Sequence, residues 1–282
     1  MTGAVLVLGA TGNTGSAVVE ALRGFPELSV LTATRAPAPP TDLEHRRFDW
    51  LEPATWDGAL DGVDRVYLVA PAGHPDPLAV VEPFIEHAIA EGVRRAVLLS
   101  SSAVAFGDQG LGEVAAAVRD AFSEWEILRP SWFMQNFVGD HPLADGIRTG
   151  GEFVTASGTG RLPFIDARDI GRSAAALLAA PHSAKTEHLL TGPEALSYDE
   201  AAAILSTVTG RRARHRAVDP SSYVEFLVAA GYEPAFAGAL AALDAQIRSG
   251  AQAAVTDAVE RLTGTPPRTF AAYLRAHPSR RT

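Results

Sequence analysis

The sequence predicts an α/β protein, a doubly wound parallel sheet with helices on both faces and a smaller α/β lobe towards the C-terminus. Two observations predict it. Short, continuous apolar runs alternate with amphipathic helical segments, and a glycine-rich turn separates the first run from the first helix. Ala4 to Leu8 is apolar and rich in β-branched residues, which reads as a strand buried on both faces. Ser16 to Leu22 carries Val18, Val19 and Leu22 at helical spacing, with Gly24 as its stop signal. Ser29 to Thr34 is a second strand, Arg46 to Asp49 a short third, and Val63 to Ala70 a fourth. Pro77 to Glu91 presents Val80, Val81, Phe84, Ile85, Ala88 and Ile89 on one helical face. Arg95 to Ser101 and Glu126 to Arg129 supply strands five and six, with a helix from Gly112 to Phe122 between them.

Beyond residue 150 the pattern changes. Short strands at Glu152 to Thr155, Arg161 to Ile165 and His188 to Thr191 interleave with helices near Ala167 to Leu178 and Tyr198 to Thr207. The last fifty residues are alanine-rich and helical in pattern. Two regions are therefore expected: 1–150 as the sheet domain, and 151–282 as a smaller lobe that does not fold independently. The proline-rich stretch Ala36 to Pro40 reads as a loop.

Composition narrows the function. The 282 residues are 47% hydrophobic and 20% charged, ordinary for a globular chain, and carry a net charge of −9. That balance argues against a nucleic-acid surface. One basic run, Arg211, Arg212, Arg214 and Arg216 around His215, reads as a solvated turn and edge strand. There are no cysteines, so disulfides, thiolate metal sites and thiol nucleophiles are excluded. No leader-like segment opens the chain and no apolar run has membrane-spanning length, so a cytoplasmic location is expected.

The turn Gly9-Ala10-Thr11-Gly12-Asn13-Thr14-Gly15 sits between strand and helix, the context that marks a dinucleotide fingerprint on a Rossmann domain. Glycines there permit the tight turn, the approach of a pyrophosphate and close helix packing, while free N–H groups and the helix dipole face the negative charge. The NAD-selective version needs an acid at the end of the second strand. Here that strand ends Thr32-Ala33-Thr34-Arg35. An arginine fork suits a 2′-phosphate, so NADP(H) is the expected cofactor, with NAD(H) left open.

At this point the residues resemble a family. The glycine turn, Ile127-Leu128-Arg129-Pro130-Ser131-Trp132-Phe133-Met134-Gln135-Asn136-Phe137, Phe164-Ile165-Asp166-Ala167-Arg168-Asp169-Ile170-Gly171 and Leu262-Thr263-Gly264-Thr265-Pro266-Pro267-Arg268-Thr269-Phe270 together resemble the NmrA-like group of atypical short-chain dehydrogenases. That group includes NADPH quinone oxidoreductases, triphenylmethane reductases, ergot-alkaloid-type reductases and non-catalytic redox sensors. The resemblance implies that Asp49 and Trp50 lie near the adenine and that Ala70 and Pro71 follow the cofactor. It implies Ser100 and Ser101 beside the nicotinamide ribose, and Pro130, Trp132, Phe133, Gln135 and Asn136 around the nicotinamide and substrate.

One departure shapes the chemistry. Typical short-chain dehydrogenases pair a tyrosine with a lysine four residues later, which lowers the phenol's pKa for proton transfer. Lys185 is the single lysine, and Pro181 stands four before it. Glu113 begins the helix where the dyad would sit. Acceptors that need little acid from the protein then fit best: quinones, iminium ions, dyes or polarised double bonds, hence an aromatic or polycyclic small molecule. The alternatives are a dinucleotide sensor acting through a protein partner and, less well supported, an epimerase. No hydrolase elbow or metal-ligand spacing stands out, and Asp166 with Asp169 reads as helix capping.

Overall fold

A computed structural model describes residues 3–36 and 42–277. Of the expected loop from Ala36 to Pro40, all but Ala36 lies outside the described residues. The strands run in chain order β1 (Gly3–Leu8), β2 (Leu28–Thr34), β3 (Glu44–Arg47), β4 (Arg65–Val69), β5 (Arg95–Leu99), β6 (Glu124–Pro130), β7 (Glu152–Thr155), β8 (Arg161–Leu162), β9 (Thr186–Leu190), β10 (Leu196–Ser197) and β11 (Arg214–Ala217). The helices are α1 (Asn13–Leu22), α2 (Trp56–Leu60), α3 (Leu78–Ala90), α4 (Leu111–Ala121), α5 (Pro142–Gly150), α6 (Ala167–Ala179), α7 (Tyr198–Thr209), α8 (Pro220–Ala229), α9 (Pro234–Arg248), α10 (Ala258–Thr263) and α11 (Phe270–Ala276). They form two compact units, each assembled from separate stretches. Met1–Pro130, Ala167–Leu190 and Ala258–Thr265 make the first; Ser131–Asp166, Thr191–Asp257 and Pro266–Thr282 make the second. The division differs from a single cut at residue 150 because α6 packs on α1 and β9 extends the main sheet.

The first unit is a seven-stranded sheet in the order β3-β2-β1-β4-β5-β6-β9, parallel throughout. Alternation along β1 sends Leu6 and Leu8 towards Phe84 and Ile85 of α3 and Val114 and Val118 of α4. Val5 and Val7 therefore face the opposite side. On that side α1 and α6 pack so closely that a Cβ on Gly171 would lie 2.5 Å from the Ala17 carbonyl carbon. Arginines that begin two strands hold α6 from below. Arg95 donates to the Leu177 and Leu178 carbonyls at 3.0 and 3.3 Å, and Arg65 donates to the Leu178 carbonyl. These contacts satisfy carbonyls that a helix end leaves without partners.

Three strand expectations need correction. The third strand is Glu44–Arg47, two residues earlier than Arg46 to Asp49. Asp49 instead closes a turn, its Oδ1 accepting from the Leu51 N–H at 2.9 Å. The stretch Arg161 to Ile165 is strand only over Arg161–Leu162, with Ile165 in an isolated bridge to Phe133. The strand expected at His188 to Thr191 is Thr186–Leu190 and is an edge of the main sheet, paired with β6. A buried pair fixes it there: His188 Nε2 lies 2.8 Å from Glu126 Oε2.

The second unit packs around aromatic side chains. Phe137 meets Phe164 at 5.1 Å and Phe270 at 4.8 Å between ring centroids, and Tyr198 joins Phe153 and Phe164. Strands β7 and β11 pair in parallel. As period two requires, Arg216 on β11 points out, 2.8 Å from Glu152. His215 points in, its Nε2 2.8 Å from Thr155 Oγ1.

Two histidines make this unit sensitive to acid. His141 caps α5, Nδ1 accepting from the Leu143 N–H at 3.1 Å, which requires an unprotonated nitrogen. Burial lowers the pKa of His141, against the pull of Asp145, and likewise that of His215 against Asp199. Depressed folded-state values mean that the unfolded chain takes up protons first as pH falls below about 6.5. Stability present above that pH is therefore lost below it. Urea unfolding at pH 7.5 and 5.0 should show this loss. His141→Asn, a cap that does not titrate, should reduce it by about 0.5–1 kcal/mol; an identical loss in both proteins would contradict the capping role.

Candidate cofactor site

Strand order decides where a ligand of the first unit can lie. The sheet reverses direction of winding between β1 and β4, and the turn after β1 occupies that switch point. Gly9 adopts φ +64°, which favours glycine. Its carbonyl accepts from the Gly12 N–H at 2.9 Å. A Cβ on Gly15 would lie 2.1 Å from that same carbonyl oxygen, so the first turn of α1 reaches this position only with glycine there. Gly12 caps α1 without a side-chain hydrogen bond, and the first turn contains no acid. The amide groups of Asn13 and Thr14 therefore present positive potential unopposed by a side chain.

The other expected cofactor residues follow the carboxyl ends of neighbouring parallel strands. In sheet order these are Asp49 and Trp50 after β3, Arg35 after β2, the turn from Gly9 with Thr11 after β1, Ala70 and Pro71 after β4, Ser100 and Ser101 after β5, and Pro130 ending β6. The structure thus brings all of them to one edge. Their surroundings differ. Arg35 is exposed and makes no ion pair among the described residues. Trp50 packs edge-on to Phe48 and Phe84, each at 5.0 Å. The Asp49 carbonyl accepts from the Trp56 indole N–H at 3.0 Å. Ser100 donates its N–H to the Leu128 carbonyl at 2.8 Å, and Ser101 Oγ accepts from the Ala103 N–H at 3.2 Å. Arg129 ties this turn to β9, donating Nε to the Ser101 carbonyl at 3.4 Å while Nη1 pairs with Glu187 at 2.9 Å.

The expected substrate residues belong to the second unit. Trp132 and Phe133 are half-buried, and Trp132 packs against the aromatic core. Gln135 donates Nε2 to Asp166 Oδ1 at 2.8 Å, and Arg268 Nη1 lies 3.1 Å from Oδ2 of the same fully buried carboxylate. Asn136 donates its N–H to the Phe133 carbonyl at 3.2 Å. The Gln135–Asp166–Arg268 linkage joins three distant motifs and was not legible from their spacing. Asp169 pairs with Arg172 at 2.7 Å.

The acid chemistry of a tyrosine–lysine dyad finds no support in these positions. Glu113 accepts from the Gly110 N–H at 2.9 Å and so caps α4. Lys185 is exposed in the turn before β9, at φ 54°. Tyr67 is buried on β4, and burial raises its pKa against a smaller lowering by the Thr14 side chain. A phenol shifted upward holds its proton and makes a poor acid. A cavity of about 620 Å³ in the first unit is lined by α1, α6 and α10, including Ala21, Arg172 and Leu262, and by none of the expected site residues. No group of metal-ligating side chains occurs among the described residues.

A glycine cradle at the switch point of a parallel sheet defines a dinucleotide-binding Rossmann protein. Comparison with known proteins agrees. An NAD(P)H-binding family model matches residues 9–181, and the NmrA-like family model matches residues 113–274. The chain belongs to the NmrA-like family of NAD(P)H-dependent oxidoreductases. It is 40% identical over 276 residues to the uncharacterized oxidoreductase YesF of Bacillus subtilis, covering 97% of this chain and 94% of that protein. It is 35% identical over 277 residues to festuclavine synthase II of Penicillium roqueforti, covering 94% and 95%. In fold it is similar to the NADPH-dependent quinone oxidoreductase of Escherichia coli crystallised with NADPH, with a TM-score of 0.82, 22% identity, and coverage of 96% and 99%.

The cradle makes a direct prediction. Gly15→Ala should force the turn apart, lowering stability by about 1–3 kcal/mol and weakening NADPH binding at least tenfold. Urea unfolding and a fluorescence titration would measure both; wild-type values for both would refute the close approach.

Proposed function

We propose that this chain is an NADPH-dependent reductase that delivers hydride to a bulky, apolar acceptor of aromatic or polycyclic shape without a tyrosine–lysine dyad. The observation that carries the reading is a cradle fitted to a dinucleotide beside an uncommitted Arg35, in a chain whose single lysine lies in an exposed turn. The names of the similar proteins, a festuclavine synthase and a quinone oxidoreductase, support an acceptor of this kind.

The site residues suit the cofactor. Asn13, Thr14 and Gly15 would offer backbone N–H groups to the pyrophosphate, and Gly9, Thr11 and Gly12 would shape the approach. Arg35 would pair with the 2′-phosphate. Asp49 and Trp50 would flank the adenine, with Ala70, Pro71, Ser100, Ser101 and Pro130 along the remaining length. When bound, the nicotinamide supplies a hydride with its electron pair. Trp132, Phe133, Gln135 and Asn136 would contact the acceptor and limit water. With no lowered phenol pKa available, proton demand is met by choice of acceptor. The absence of cysteine supports a reducing, cytoplasmic setting.

The test has two parts. Purified protein titrated with NADPH should show saturable fluorescence, and a panel of quinones, cyclic iminium ions and cationic dyes should then accelerate NADPH loss. Binding without oxidation across the panel would favour a redox sensor acting through a protein partner. Arg35→Ala should lower kcat/KM for NADPH about 10–100-fold while changing the value for NADH little, as loss of a charge-assisted phosphate contact implies. Equal effects on both would reject the 2′-phosphate assignment.

A further inference from the structure

The edge strand β3 of the first unit, Glu44-His45-Arg46-Arg47, carries no apolar side chain. Most of its polar groups are tied down locally. Arg46 donates to the Ala59 carbonyl at 3.0 Å and the Asp61 carbonyl at 2.6 Å, and pairs with Glu44 at 3.0 Å. Arg47 pairs with Glu52 at 2.6 Å. His45 turns instead towards β2. It stands opposite Thr32 in the parallel ladder, and its ring reaches along the strand to the carboxyl end. Nδ1 lies 3.3 Å from Thr32 Oγ1, while Nε2 lies 3.5 Å from Thr34 Oγ1 and 3.3 Å from the Ala36 carbonyl oxygen.

These contacts bracket Arg35. Before it, the Thr34 carbonyl accepts from the Phe48 N–H at 3.0 Å. After it, the Ala36 carbonyl accepts from the Thr34 hydroxyl at 3.1 Å and from the His45 ring. A carbonyl can only accept, so Nε2 carries a hydrogen and donates it. The main chain on both sides of Arg35 is thereby fastened to β3, while the arginine itself is exposed. Further on, Asp42 is held to α1, its Oδ1 and Oδ2 accepting from Arg23 at 2.5 and 3.1 Å.

An exposed arginine on a loose main chain is a weak selector, because ordering the side chain and its loop on binding opposes affinity. Main-chain order established beforehand reduces that opposition. Steadying β3 does not require the histidine, since that strand already has its ladder to β2, the Arg46 bonds and the buried Phe48 that follows it.

We propose that His45 is a positioning residue for coenzyme selection: by holding the Ala36 carbonyl and the Thr34 hydroxyl it presets Arg35 for the 2′-phosphate of NADPH. This rests on the assignment of Arg35 to that phosphate. NADH lacks the phosphate and gains nothing from the arrangement. His45 therefore sets the ratio of the two affinities, and not the affinity for a dinucleotide as such.

Fluorescence titration of the full chain with NADPH and with NADH reads that ratio without turnover. His45→Phe keeps a ring and removes its hydrogen bonds. It should weaken NADPH binding about three- to tenfold, as loss of one or two hydrogen bonds implies, and leave NADH binding within about twofold. His45→Gln, whose amide can still donate to the Ala36 carbonyl, should recover part of the NADPH affinity. Because His45 acts through Arg35, the double variant Arg35→Ala/His45→Phe should bind NADPH no more weakly than Arg35→Ala alone. Thr34→Val removes one hydroxyl at nearly constant size and should weaken NADPH selectively too, which decides the matter if His45→Phe folds poorly. Equal weakening of both coenzymes, additive losses in the double variant, or unchanged NADPH binding in His45→Phe and Thr34→Val would overturn the proposal alone. An Arg35→Ala variant with an unaltered ratio would overturn the phosphate assignment, and the proposal with it.

Discussion

How closely α1 approaches the end of β1 sets the geometry of the first unit. With no side chain on Gly15, the helix seats against the Gly9 carbonyl, and its first amide groups stand at the point where the sheet changes its direction of winding. Once α1 is there, α6 can pack across it at Gly171. Arg65 and Arg95 then bind the carbonyls at the end of α6, anchoring it to β4 and β5. The parallel sheet aligns six strand ends along one edge, so the same constraint that positions a helix also positions the groups expected to hold a dinucleotide. A side chain at either glycine would disturb packing and site together.

The polar chemistry is distributed with equal consequence. Charged groups are mostly committed in the fold: Glu113 to a helix cap, Asp166, read from the sequence as a cap, to Gln135 and Arg268, and Glu126 to His188. Buried charges of this kind are stable only with partners. Against that background Arg35 stands apart, exposed and without an ion pair among the described residues. On the proposed reading, recognition and placement of cofactor and acceptor carry a larger share of the catalytic task than proton transfer does.

Much of this was legible in the sequence, for definite reasons. Strands buried on both faces read as continuous apolar runs, so β1, β2, β4 and β5 were located to within a few residues, and the glycine turn identified itself by its place between strand and helix. The edge strand β3, Glu-His-Arg-Arg, carries no apolar pattern, and was displaced by two residues. The sheet membership of β9 was hidden because it depends on a pairing 62 residues away in sequence, Glu126 with His188. The motifs ending at Phe137 and Phe270 and the one beginning at Phe164 looked like separate signatures. In three dimensions they are one aromatic core with one buried carboxylate beside it. Asp244 gave no signal, because its hydrogen bond from the Ala156 N–H joins residues 88 apart in sequence.

The central claim, hydride transfer from NADPH without a tyrosine acid, is tested most directly by following the hydrogen itself. NADPH carrying deuterium at the transferring C4 position would be used to reduce a cyclic iminium acceptor across pH 7.5 to 9.5. The account predicts one deuterium on the former iminium carbon, a primary isotope effect, and no rate change attributable to a titrating phenol in that range. Product without the label, or a rate governed by an activated tyrosine ionising between those pH values, would contradict it.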